Sequence, residues 1–165
     1  DMISHNKTYN ENANDSIRNE IRQKTRYLLE DKYIPLYSKK EIKPEDHVNN
    51  IESLQQDIKD IELDGGKKCK DYLEGGEFSF GKAQKLLNML LKYYWCNGWV
   101  KTPPHMPIDS KILGKLKQSD IKWSDLKWSQ MTKDEYERLF AENVFENEEI
   151  QPNPSEWELK TWEKL

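Results

Sequence analysis

The residues whose types and spacing could support chemistry are a glycine followed by two lysines and a later aspartate: Gly81, Lys82, Lys85 and Asp109. A glycine lets backbone amides approach a phosphate closely. A lysine amine can act as a nucleophile, and a carboxylate can orient water or stabilise developing positive charge. Together these residues form the candidate catalytic and nucleic-acid-binding set of the chain.

The segment that holds this set, residues 80–116, resembles the helix-hairpin-helix DNA glycosylases. In that family a glycine-containing hairpin with a nearby lysine opens an amphipathic helix, and a later Pro-Val-Asp sequence places a catalytic aspartate before the next helix. The resemblance implies that Asp109 is that catalytic residue. It also implies that Lys82 or Lys85 is the nucleophilic amine and that the backbone at Gly81 contacts a DNA phosphate.

The same residues also have purely structural interpretations. Asp109 sits where a helix N-cap belongs, and a capping carboxylate stabilises a helix by about 1 kcal/mol. Lys82, Lys85 and Lys92 recur at helical spacing and are typical of the solvated face of an amphipathic helix. Both interpretations stay open at this point.

Trp99 and His105 belong to a stretch, residues 99–107, that three prolines keep extended. An exposed histidine in a rigid loop can act as an acid or base, and a tryptophan can stack on an unpaired base. We therefore add Trp99, His105 and Lys92 to the nucleic-acid-binding candidates. The alternative is that His105 packs on Trp99 and that the tryptophans belong to the core.

Other kinds of site find no support in the sequence. The three histidines, His5, His47 and His105, do not have the spacing of metal ligands, and Cys69 and Cys96 have no metal-type pairing. Phosphate-binding loops and nucleophile motifs with strong local signatures are missing. We predict no metal and no cofactor, and the balance favours a protein that is not an enzyme. The two cysteines are expected to be free thiols in a reducing compartment.

Helical periodicity dominates the chain and predicts a mainly α fold of five or six helices, with a Pro-rich loop and little or no sheet. Residues 1–13 are expected to be a flexible lead-in and residues 14–165 a single domain. Pro35 is expected to end the first helix. Residues 121–128 suit either an aromatic loop or a short strand.

The clearest predicted helix runs from about residue 79 to residue 96, ending before Asn97-Gly98. Its predicted core face comprises Ala83, Leu86, Leu87, Leu90, Leu91, Tyr93 and Tyr94. Its predicted solvated face comprises Lys82, Lys85, Asn88 and Lys92. This helix therefore positions most of the candidate residues.

Composition limits the possible partners. The chain has 26 basic and 30 acidic residues and a net charge of −4, so no global field attracts it to nucleic acid or to an anionic membrane. It contains no apolar run of about 18 residues that could span a bilayer, and we expect a cytoplasmic protein without membrane contact. Its asparagine and lysine content suits a bacterial or phage source.

Three functions remain as hypotheses. The first is a non-enzymatic interaction or regulatory module of defence, phage or accessory type, which binds a protein partner or self-associates. The second is a DNA- or RNA-associated protein, with a glycosylase or lyase as its enzymatic form. The third is a small-ligand binder with a pocket between the residue 81–96 helix and the Pro-rich loop.

Overall fold

The computed structural model describes residues 8–116, 122–141 and 153–163, without the side chains of residues 162 and 163. Its α-helical segments are α1 (Asp15–Leu28), α2 (Ile34–Lys39), α3 (Pro44–Asp60), α4 (Phe80–Cys96), α5 (Ser110–Leu113), α6 (Lys133–Ala141) and α7 (Pro154–Glu163). A π-helical turn, Leu29–Tyr33, joins α1 and α2 into one continuous helix, so the described residues form six separate helices. The described residues contain two isolated β-bridges and no strand. The mainly α prediction is confirmed.

The first helix does not end at Pro35, and that prediction is wrong. Proline lacks an N–H, and its ring clashes with the carbonyl four residues earlier in a regular α-helix. Here the amide of Ile34 donates to the carbonyl of Leu29, five residues back, so the turn before Pro35 is wider. The wider turn accommodates the proline ring, and the helix continues to Lys39.

The centre of the fold is the packing of α3 against α4. The two helices bury apolar residues at steps of three and four: Ile51, Leu54 and Ile58 on α3, and Ala83, Leu87 and Leu91 on α4. The Ser79 hydroxyl accepts a hydrogen bond from the amide of Lys82 and caps α4. Gly98, with φ of +73°, follows its C-terminal end. The predicted bounds of this helix are confirmed.

The folded region begins before residue 14. Tyr9 forms an antiparallel bridge with Leu73, and the Asn10 amide donates to the Tyr72 carbonyl at 3.0 Å. Ala13 is buried in the core. Residues 8–13 are therefore packed rather than a free lead-in, and residues 1–7 lie outside the described residues.

The aromatic segment after α5 forms two 3₁₀ turns, Trp123–Asp125 and Trp128–Gln130, and not a strand. Ile121, the first residue of the predicted segment, lies outside the described residues. Trp123 is fully buried, as predicted for a core tryptophan. The second turn packs against α4 and covers its N-terminal end. Across the described part of the chain, no helix is both long enough and apolar enough to cross a membrane.

Candidate functional site

The polar face of α4 is covered by the Pro-rich segment, so its prediction as a solvated face is wrong. Gln84 is fully buried; its side-chain amide donates to the Ile108 carbonyl at 2.7 Å, and its oxygen accepts from the Ile108 amide at 3.1 Å. Asn88, also buried, donates to the Met106 carbonyl at 3.0 Å. Buried backbone N–H and C=O groups need hydrogen-bond partners of this kind. The two amides therefore fasten the Pro-rich segment to α4.

Gly81 allows a close backbone approach, but the group that approaches belongs to this chain. A Cβ placed on residue 81 would lie 1.9 Å from the carbonyl oxygen of Trp128. The Gly81 amide donates to the Met131 carbonyl at 3.0 Å. Its N–H and its surface are therefore not available to a DNA phosphate.

Asp109 is the N-cap of α5. Its Oδ1 accepts hydrogen bonds from the amides of Lys111 and Ile112, both at 3.0 Å. Its Oδ2 lies 3.4 Å from the amine of Lys85, and that amine also lies 4.4 Å from the ring centroid of Trp128. The structural interpretation of Asp109 is confirmed, and its catalytic role stays an untested prediction.

Of the other two lysines of α4, Lys92 forms an ion pair and Lys82 is partly buried. The amine of Lys92 lies 2.8 Å from the carboxylate of Glu158 on α7, and this carboxylate is only 1% exposed. Lys82 is partly covered, and burial holds the pKa of its amine below the ordinary value. Lys82, Lys85 and Lys92 therefore do not form an open row of charges facing solvent.

His105 is buried and does not pack on Trp99. Its ring stacks on Phe140 of α6, with a centroid distance of 3.8 Å and an interplanar angle of 8°. It also meets the His47 ring of α3 edge-on, at 5.1 Å between centroids. Trp99 instead contacts Tyr94, at 5.2 Å between ring centroids.

A chain of hydrogen bonds leads from solvent-side Asn50 to the buried His47. The Asn50 amide donates to the Tyr37 hydroxyl at 3.1 Å, and that hydroxyl lies 2.7 Å from Nδ1 of His47. With Asn50 as donor, the tyrosine proton is left for Nδ1, so we assign the imidazole proton to Nε2.

Burial keeps both histidines of this pair uncharged. It lowers the pKa of His47 to about 3, against a small opposing effect of Asn88. Burial, with a smaller effect of His47, also holds the pKa of His105 far below its usual range. The described residues contain no group of three side chains suited to hold a metal ion. The two uncharged rings therefore pack between α3 and Phe140 of α6.

Four large hydrophobic side chains on α1, on α2, on the last turn of α4 and just after it are exposed, and we call this set the aromatic end. It consists of Tyr27 (56% exposed), Leu36 (41%), Tyr93 (59%) and Trp99 (63%). These are the exposed large hydrophobic side chains of the described residues. The free thiol of Cys96 is also exposed, between Tyr93 and Trp99 in the sequence.

Two backbone hydrogen bonds bring together the segments that carry Tyr93, Trp99 and Leu36. The Trp99 amide donates to the Tyr94 carbonyl at 2.9 Å, which folds the chain back over the last turn of α4. The Lys101 amide donates to the Tyr37 carbonyl at 3.0 Å, which ties this segment to α2 beside Leu36.

The sequence pointed to only one member of the aromatic end, Trp99, and it placed Tyr93 in the core. Tyr93 follows the buried Leu91 by two residues, which turns it about 200° around the helix axis. It therefore points away from the core. The angle between Tyr93 and Leu91 on the helical wheel was the one sequence signal that could have identified Tyr93 as exposed.

No family model matches this sequence, no curated protein matches it, and no solved structure matches it.

Proposed function

We propose that this chain is a non-enzymatic interaction module that binds a protein partner through the aromatic end. The observation that carries the proposal is the exposure of Tyr27, Leu36, Tyr93 and Trp99, while the other large hydrophobic side chains of the described residues are covered at least in part. Backbone hydrogen bonds bring together the segments that carry the last three. Single exposed apolar residues are ordinary, whereas a contiguous group marks a binding surface. Tryptophan and tyrosine are also the side chains that dominate binding energy at interfaces.

The residues that were candidates for catalysis already make structural contacts, which supports an interaction role over catalysis. Asp109 is used as a cap, Lys85 is paired with it, and His105 is stacked within the core. Cys96 is an exposed free thiol, and an unpaired exposed thiol persists in a reducing compartment. Binding in the cytoplasm is consistent with this feature.

Cys96 offers a direct test because it is exposed and follows Tyr93 by three residues on α4, about one helical turn. The second thiol, Cys69, is fully buried, and burial raises its pKa to about 12, so a maleimide reagent labels Cys96 selectively. A benzophenone attached to Cys96 is irradiated in extracts of the source cells. We expect one predominant cross-linked protein, which is lost when the label is carried by Trp99→Ser or Tyr93→Ser chains.

The matched control places the same label at the far end of α3. The Cys96→Ser, Lys70→Cys chain carries its thiol on an exposed residue of the 3₁₀ turn Cys69–Tyr72. Identical products from both label positions, or a product that both serine variants retain, would contradict the proposal.

A further inference from the structure

Three polar atoms in the interior of the fold have no hydrogen-bond partner among the described residues. They are Nε2 of His47, Nδ1 of His105 and Oδ1 of Asn88. The exposed fractions of these three residues are 0%, 5% and 1%. A buried polar group without a partner is destabilising, and most such groups in native proteins bond either to the protein or to an ordered water. Each of these atoms therefore indicates a missing partner.

The three side chains belong to one cluster. The rings of His47 and His105 meet edge-on at 5.1 Å between centroids. Asn88 donates to the Tyr136 hydroxyl at 3.0 Å, and the Tyr136 ring lies 5.4 Å from the His105 ring between centroids. Asn88 also opposes the lowering of the His47 pKa by hydrogen bonding, although no hydrogen bond of ordinary geometry joins these two side chains. The three are thus neighbours where α3, α4 and the Pro-rich segment meet.

Neighbouring groups fix the hydrogen-bonding role of two of these atoms. Nδ1 of His47 takes the Tyr37 proton, so its Nε2 carries a hydrogen and donates. Nδ2 of Asn88 faces the Met106 carbonyl, which only accepts, so Oδ1 of Asn88 is the acceptor of that side chain. Nδ1 of His105 donates or accepts according to its tautomer. A shared ligand must therefore accept one bond, donate another and serve the third atom in either role.

A water molecule has this combination of donors and acceptors. Buried waters typically make about three hydrogen bonds to buried polar groups of this kind. Burial keeps both imidazoles neutral, so a cation in the cluster would lose its hydration and gain only uncharged partners. The protonated Nε2 of His47 also has no lone pair to offer a metal ion. The chemistry of the three atoms therefore favours a neutral ligand.

We infer that an ordered water molecule is bound inside this cluster, where it accepts from Nε2 of His47 and bonds to Oδ1 of Asn88 and Nδ1 of His105. The water extends the chain of hydrogen bonds that begins at Asn50 and Tyr37. One polar network then joins α2, α3, α4 and the Pro-rich segment through the apolar core. The inference does not depend on the proposed function, because none of these atoms belongs to the aromatic end.

A crystal structure at near-atomic resolution tests the inference directly. We expect one compact peak of electron density within about 2.7–3.2 Å of Nε2 of His47, Oδ1 of Asn88 and Nδ1 of His105. The absence of a peak, a peak that does not reach all three atoms, or a direct bond between His47 and Asn88 would overturn the inference. A peak with an anomalous signal would overturn it in favour of a metal ion.

NMR spectroscopy tests the same site in solution. The proton on Nε2 of His47 should show NOE and ROE signals to water of opposite sign, which distinguishes a bound water from proton exchange. The control is the backbone amide of Leu54, which is fully buried further along α3 and should show neither signal. Equal water signals at both protons, or none at His47, would contradict a bound water.

Two variants test whether His105 is a partner of the water. His105→Phe keeps a ring on Phe140 and removes Nδ1, so the water signal at His47 should fall at least about fivefold with the loss of one hydrogen bond. Phe140→Leu changes the other ring of this stack but removes no hydrogen-bonding group, so the signal should persist. An unchanged signal in His105→Phe, or an equal loss in both variants, would overturn the three-atom site.

Discussion

The backbone of Gly81 lies directly against the carbonyl oxygen of Trp128, with no room for a side chain between them. Gly81→Ala should therefore push the second 3₁₀ turn away from α4. Overpacking of this kind costs about 1–3 kcal/mol of unfolding free energy, which urea denaturation can measure. Gly65→Ala is the control, because a Cβ there would meet no atom within 4 Å. Equal stability of the two variants would contradict the close approach.

Gln84→Leu should loosen the Pro-rich segment. The substitution keeps the apolar bulk but leaves the buried N–H and C=O of Ile108 without their partner, at about 1–3 kcal/mol for each unsatisfied group. Urea denaturation should show a clear loss of stability, and amide exchange at Ile108 should accelerate. Gln23→Leu, at an exposed position of α1, should change neither quantity. Unchanged exchange at Ile108 would argue against the proposed attachment.

The buried histidine pair predicts acid sensitivity. The folded-state pKa values of His47 and His105 lie below the ordinary value of 6.5. Below pH 6.5 the unfolded chain therefore binds more protons than the folded chain. The part of the unfolding free energy that depends on the two neutral histidines is fully present above about pH 7. It is lost progressively as the pH falls towards the folded-state pKa, which is about 3 for His47.

Urea denaturation between pH 7 and pH 5 measures this loss. His105→Phe keeps an aromatic ring on Phe140 and removes one titrating group, so its stability should fall less steeply, by up to about 1.4 kcal/mol per pH unit. A slope equal to that of the wild type would mean that His105 is protonated in the folded state.

The ion pair between Lys92 and Glu158 should control the attachment of α7. Lys92→Met removes a paired amine from the nearly buried Glu158 carboxylate, and we expect a loss of about 1–3 kcal/mol with faster amide exchange in α7. The double variant with Glu158→Leu should recover part of that loss, because no lone charge then remains buried. A double variant that is less stable than Lys92→Met would show that the pair is not the main attachment.

The parts of the fold that sequence could predict are those with local signals. α4 has a capping serine, a helical repeat of apolar residues and a glycine past its end, and its bounds follow from these. Asp109 as a helix cap follows from its position before Ile112 and Leu113 in the same way. These signals act within a few residues of the side chain concerned, so they are visible in the chain itself.

The parts that failed depend on partners far along the chain. Asn88 was predicted to be solvated, but its partner is the backbone of Met106, and no residue type reveals that contact. The contact of Gln84 with the backbone of Ile108 was not predicted for the same reason. His47 and His105 are separated by most of α3 and α4 in sequence, and only tertiary packing brings their rings together. Buried polar contacts of this kind leave no periodic signal.

The π-helical turn before Pro35 determines the angle around the helix axis at which each residue of α2 points. Its bond spans five residues instead of four, so it holds one residue more than an α-helical turn, and each residue rotates an α-helix by about 100°. With that residue deleted, Tyr37 would turn away from His47 and a different side chain would take its place. A single codon in this turn thus decides which side of α2 is inside the protein and which is exposed.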